Sequence, residues 1–241
     1  MKDFPDLPLL SSKDSLAHIS SSHYSRAQKL LASSLVTQGR SFVYQMKDNG
    51  MEDLLILDVT HFLNHRINTK LIAMIGEELA SQVSLFQPDI ILTAPSSGNI
   101  PSIATALHLD PIPDIIYAPK GQPITIQDAY QAKSRSYTHG KAVDLTVAKD
   151  CLPEGSRVLI CDDFLDTGKT GLDLLQIVHQ AKAESVGFCF VIEKPFGGRE
   201  KLKEAGYADT QIISLVTIES MRPGKLKLQD FDYWFSLIRQ D

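Results

Sequence analysis

An alternation constrains this chain's fold more than any other feature: short apolar runs take turns with segments whose apolar residues recur at helical spacing. LLILDV (54–59), DIILTA (89–94), DIIYA (114–118), RVLIC (157–161), VGFCFVIE (186–193) and QIISLV (211–216) read as strands, too short for helices and with little polar alternation. Leu71, Met74, Ile75, Leu79 and Val83 share one helical stripe after the first run, and Leu172, Leu175 and Val178 share another after RVLIC. PSIATALHL, after DIILTA, is a third helical segment. Strands with no polar face must be covered on both sides, which predicts an α/β fold with a parallel twisted sheet flanked by helices. Ligands bind such sheets beyond the carboxyl ends of the strands, so the residues that follow each run are the candidates for function.

Two stretches depart from the alternation. Residues 1–50 are serine-rich between Ser11 and Ser34 and hold a short amphipathic segment, Ala27 to Leu35; they read as an extension with one helix, ahead of a main domain over 51–241. The polar stretch 119–141 has little periodicity and exceeds an ordinary connector, which marks it as a functional loop. A chain of 241 residues can bury a substantial core unaided. Cys151, Cys161 and Cys189 form no C-x-x-C pair and read as structural thiols. With 24 basic against 29 acidic side chains the net charge is −5, which gives no long-range pull on nucleic acid or anionic lipid. No nucleic-acid partner is expected, and an anionic ligand needs a local site. No apolar run approaches the roughly 20 residues of a membrane helix, and MKDFPDLPLL lacks the basic start of a signal peptide, so a cytoplasmic location is expected.

Such a local site follows RVLIC, in Asp162-Asp163-Phe164-Leu165-Asp166-Thr167-Gly168-Lys169-Thr170-Gly171. Small residues let the backbone turn and present successive N–H groups, a helix begins there, and two threonines add hydroxyls, a combination that suits one phosphate. The Walker spacing is absent. Adjacent carboxylates beside a phosphate cradle suit a sugar with vicinal hydroxyls and a phosphate, as in ribose 5-phosphate. The plain alternative is that Asp163 or Asp166 only caps the helix. His61 and His65 are four apart without a third ligand in a recognised spacing, which does not make a zinc site.

VLICDDFLDTGKT resembles the phosphoribosyl pyrophosphate motif of type I phosphoribosyltransferases. LDVTHFLNHRINTKLIAMIGEELA, IEKPF and GREKLKEAGY are similar to segments of the bacterial xanthine phosphoribosyltransferases, in the same order over Leu55 to about Leu215. The resemblance implies the type I fold with a small hood, Mg2+ as cofactor, phosphoribosyl pyrophosphate and a purine base as substrates, and a homodimer. It implies that Asp162 and Asp163 bind the ribose hydroxyls and are the candidate protein ligands of a substrate-borne Mg2+, and that Asp166, Thr167, Gly168, Lys169 and Thr170 cradle the 5-phosphate. Asp166 is then the candidate for proton transfer at the purine. Ser96, Ser97 and Gly98 match the pyrophosphate loop, with Pro95 where the xanthine enzymes carry glutamate, and Lys120 is what remains of a basic cluster. The stretch 119–141 corresponds to a closing loop, with Tyr137 and Thr138 on its returning arm. For the base the resemblance implies Leu57 for packing, Asn64 for the polar edge and Lys194 for a ring oxygen. Phe196 stands two residues on as a stacking partner. An ammonium favours an oxo group over an exocyclic amine, so a 6-oxopurine is expected, xanthine first and guanine or hypoxanthine next. The rival readings are a purine-responsive transcriptional regulator, or an adenine or pyrimidine transferase on the same scaffold.

Overall fold

Val158, Leu159, Ile160 and Cys161 are all completely buried, as a strand covered on both faces requires. The computed structural model describes residues 4, 6–46, 53–135 and 142–237. Along the chain these form β1 (Leu9–Leu10), α1 (Ser12–Ser21), α2 (Arg26–Gln38), β2 (Arg40–Tyr44), β3 (Leu54–Asp58), a π-helical turn (Thr60–Asn64), α3 (Thr69–Val83), β4 (Ile90–Thr93), α4 (Asn99–Ala106) and β5 (Asp114–Tyr117). They continue with β6 (Ala129–Arg135), β7 (Ala142–Ala148), β8 (Arg157–Leu165), α5 (Lys169–Gln180), β9 (Glu184–Glu193), α6 (Gly198–Glu204), β10 (Ile212–Arg222), β11 (Lys225–Leu228) and β12 (Trp234–Ser236). Two compact units share this chain: a large one of Ile75–Ile192 and Gly197–Leu215, and a small one of the residues up to Met74, Glu193–Phe196 and the residues from Val216 onward.

In the large unit the strand order is β10-β9-β8-β4-β5. β4 runs parallel to both neighbours, with Ile90 opposite Asp114 on one side and Val158 on the other. Leu174, Ile177 and Val178 of α5 pack with Phe188, Phe190, Ile160 and Leu92 in one core. The α/β architecture with a mostly parallel sheet flanked by helices is therefore the one the alternation predicts. Cys161 and Cys189 lie buried within it, while Cys151 is exposed.

The stretch 119–141 is not a loop throughout. Its second half enters β6, which pairs antiparallel with β7 from Ala129↔Ala148 to Arg135↔Ala142. Ala132, Leu145 and Val147 of this hairpin belong to the core, and Gln180 of α5 clasps Gln131, accepting from its N–H at 3.2 Å and donating to its carbonyl at 2.8 Å. A small inward alanine contributes little apolar signal, so this strand has no period-2 signature. Tyr137 and Thr138 lie outside the described residues.

The small unit joins the two ends of the chain. Its strand order is β1-β12-β11-β10, with β1 parallel to β12, and β2 pairs with β3 as an antiparallel ribbon. The serine-rich stretch holds two helices where the sequence reading expects one, because several serines are caps. Ser11 accepts from the Asp14 N–H at 3.2 Å to start α1, and Ser25 forms a capping box with Gln28 to start α2. Trp234 is almost completely buried, its indole N–H donates to the Phe4 carbonyl at 2.9 Å, and the Lys225 ammonium sits 4.5 Å above its ring. Among the described residues no helix is long and apolar enough to cross a membrane.

Candidate active site

β8 carries the acid pair before it ends. The strand extends through Leu165, so Asp162 and Asp163 stand on its last turns of pleat, with Asp163 buried at 6% exposure and Asp162 partly exposed. The Asp163 N–H donates to Asp162 Oδ1 at 2.9 Å. Burial first, and then the neighbouring Asp163 carboxylate, push the Asp162 carboxyl well above the ordinary carboxylate range. Two such groups held together call for hydroxyl donors or a cation to offset the crowding.

The turn after β4 closes on this pair. A side chain at Gly98 would place its Cβ 2.7 Å from Asp162 Oδ1, 2.8 Å from the Ala94 carbonyl and against Thr93 Oγ1, so only glycine lets the turn approach so closely. The Gly98 carbonyl accepts from the Ser102 hydroxyl at 2.7 Å, which anchors the turn to the first coil of α4. Gly98 is thereby brought beside Asp162, 64 residues further along the chain, with Ser96 and Ser97 just ahead of it on the same turn.

Beyond β8 the chain turns sharply into α5. Gly168 occupies the N-cap position with φ of 78°, so the N-cap residue itself has no side chain with which to cap α5. Asp166 and Thr167 sit on the turn just ahead of an α5 N-terminus whose first amides point outward from the helix. The Lys169 ammonium bonds Asp173 at 2.7 Å, one turn along the helix. Gly198, at the start of α6, backs onto the turn. A Cβ there would lie 2.5 Å from the Asp166 carbonyl and 2.9 Å from the Gly168 nitrogen, and one on Gly168 would lie 2.9 Å from the Gly198 carbonyl. The sequence reading assigns no role to Gly198 beyond the resemblance of its segment, and Gly197-Gly198 ahead of a helix is the signal that points to it. Lys120 is exposed, and its backbone bridges to Leu145 in the middle of β7.

The remaining candidates belong to the small unit. Leu57 lies on β3 at 5% exposure, Asn64 closes the π-helical turn, and Lys194 and Phe196 flank a tight turn in which the Phe196 N–H donates to the Lys194 carbonyl at 2.9 Å. Asp58, next to Leu57, is raised by burial but ends below its usual value because the Thr60 hydroxyl and N–H donate to it, with Arg40 and His61 adding positive charge. His61 faces Arg40 at 3.4 Å, and among the described residues no group of three or more His, Cys, Asp or Glu side chains is arranged to hold a metal ion.

The chain matches the phosphoribosyl transferase domain family over residues 65–219. It is 42% identical over 171 residues to the xanthine phosphoribosyltransferase of Chloroflexus aurantiacus, covering 70% of this chain and 79% of that protein. It is 38% identical to the xanthine phosphoribosyltransferase of Oceanobacillus iheyensis, covering 73% of this chain and 89% of that one. The fold is similar to adenine phosphoribosyltransferase from Trypanosoma brucei, with a TM-score of 0.62, 18% identity and 81% of each chain covered. The sequence match spans the acid pair of β8, the glycine turn after β4 and the turn into α5, and on that basis the chain belongs to the phosphoribosyltransferase family.

Proposed function

We propose that this protein is a purine-salvage transferase that moves ribose 5-phosphate from phosphoribosyl pyrophosphate to a 6-oxopurine, xanthine first, and releases pyrophosphate. The observation that carries the reading is the acid pair Asp162–Asp163 held against the Gly98 turn, with a glycine-capped helix N-terminus next in the chain. The names of the relatives at 42% and 38% identity support xanthine as the base.

In this reading Asp162 and Asp163 accept the two ribose hydroxyls. Their proximity disfavours two bare carboxylates, and two hydroxyl donors relieve it. Asp166, Thr167, Gly168, Lys169 and Thr170 receive the 5-phosphate at the positive end of α5, chiefly through backbone amides, since the Lys169 ammonium is engaged by Asp173. Ser96, Ser97 and Gly98 hold the pyrophosphate, with Lys120 adding charge. Asp166 moves a proton at the purine ring nitrogen. Leu57 packs on the base, Asn64 reads its edge, Lys194 donates to a ring oxygen and Phe196 stacks. The donor set is oxygen-only and fits Mg2+, which would be held by substrate phosphates with Asp162 and Asp163 in support and would neutralise the departing pyrophosphate. The catalytic domain is taken to run from residue 51 to 241, as a homodimer in the cytoplasm.

Turnover measured with xanthine, guanine, hypoxanthine and adenine, each with phosphoribosyl pyrophosphate and Mg2+, tests the reading, and xanthine should give the highest kcat/KM. The double variant Asp162→Asn/Asp163→Asn should lose at least about a hundredfold in kcat/KM. Undiminished turnover by that variant refutes the site, and a preference for adenine refutes the assignment of the base.

A further inference from the structure

Thr93, the last residue of β4, is completely buried, and its hydroxyl has no hydrogen-bond partner. A buried hydroxyl with no partner is uncommon, because it has given up water for nothing. Its surroundings are specific. The Thr93 hydroxyl, Asp162 Oδ1 and the Ala94 carbonyl all lie within 3.0 Å of the point where a Cβ on Gly98 would be. The other nearby hydroxyl, Ser102, is already committed to the Gly98 carbonyl. Asp162 Oδ1 accepts from the Asp163 N–H, and a carboxylate oxygen has room for a second donor. Thr93 is therefore an unused donor at the seam where the turn after β4 meets the first acid of β8.

Resting on the reading in the preceding subsection, we propose that Thr93 is a positioning residue for phosphoribosyl pyrophosphate: its hydroxyl donates to the Asp162 carboxyl when the sugar binds, and holds that carboxyl beside the Gly98 turn. The bond forms in the loaded site, where small adjustments of the acid pair and the turn bring donor and acceptor into line. The hydroxyl then orients Asp162 without touching substrate, and it ties the ribose-binding acid to the turn that receives the pyrophosphate. The glycine at 98 is part of the same device, because any side chain there would fill the gap that the bond crosses.

Binding of phosphoribosyl pyrophosphate with Mg2+ by calorimetry, together with steady-state kinetics, distinguishes positioning from packing. Thr93→Val keeps the shape and removes the donor, and Thr93→Ser keeps the donor and removes a methyl group. Thr93→Val should weaken binding and raise KM for phosphoribosyl pyrophosphate about tenfold or more, the worth of a hydrogen bond to a charged acceptor, while kcat changes less than about threefold. Its melting temperature should not fall, since the lost hydroxyl had no partner in the free protein. Thr93→Ser should restore most of the affinity. Wild-type affinity in Thr93→Val, or a Thr93→Ser variant no better than Thr93→Val, overturns the role of Thr93 while leaving the transferase reading intact. Failure of the wild type to bind phosphoribosyl pyrophosphate overturns both.

Discussion

Replacing Gly198 by alanine should cripple the site while leaving every charged group in place. The added methyl would lie 2.5 Å from the Asp166 carbonyl, about 0.9 Å inside ordinary van der Waals contact, and 2.9 Å from the Gly168 nitrogen. Both obstacles are backbone atoms of the turn into α5, which cannot rotate aside as a side-chain end can. Relief therefore means moving the turn. Overpacking of this kind costs about 1–3 kcal/mol. At about 2–4 °C per kcal/mol for a chain of this size, the melting temperature should drop by roughly 2–12 °C. A displacement approaching 1 Å at a positioning element costs about a hundredfold in rate, so kcat/KM for phosphoribosyl pyrophosphate should fall by about that factor. Gly197→Ala is the matched control. Gly197 has φ of 79° and its nearest neighbour is the Glu200 carboxylate at 4.0 Å, so the methyl meets open space and only the left-handed strain of about 1–2 kcal/mol remains. Thermal melts followed by circular dichroism, with steady-state kinetics on both variants, should show similar losses of stability and a loss of kcat/KM in Gly198→Ala alone. If both lose activity in parallel, or if Gly198→Ala keeps its KM for phosphoribosyl pyrophosphate, the contact between α6 and the turn does not position the site.

Three further outcomes are expected. Asp162 is held above the carboxylate value of an unfolded chain, about 3.9, so its own contribution to the stability of the free protein falls as pH rises from about 4 through the folded value and falls no further above it. Asp162→Asn removes that fall: ligand-free melts should place the variant above wild type at neutral pH, with the two converging near pH 4, while calorimetry shows weaker binding of phosphoribosyl pyrophosphate. Trp234→Ala should cost about 3–5 kcal/mol in a denaturant titration, since the nearly completely buried indole also bonds the Phe4 carbonyl and carries the Lys225 ammonium over its face. Lys194→Ala should raise KM for xanthine about tenfold or more with little change in KM for phosphoribosyl pyrophosphate, and equal losses for both substrates would remove Lys194 from the base site.

Residue order alone carried β4, β5, β8, β9 and β10, because strands buried on both faces, such as RVLIC, must be written in apolar residues, while LLILDV, read in the same alternation, is β3 and pairs antiparallel with β2 outside that sheet. Residue order also marked Asp162, Asp163 and the glycine turn, because they form one local run of chain. Local signals were weaker elsewhere. β6 reads as polar loop since its inward residue in the core is an alanine, and α1 reads as low-complexity chain since its cap and much of its length are serine. Tertiary structure decided what depends on two backbones meeting across long separations in sequence: Gly98 against Asp162, Gly198 against Gly168, and the orphaned Thr93 hydroxyl in the first of these seams. It also decided that the strand at the start of the chain completes the sheet formed by its end, with Leu9 opposite Trp234. A glycine in isolation signals only freedom to turn. Whether that freedom is used for a turn or for a contact too close for any side chain is set by the partner strand, which local periodicity does not name.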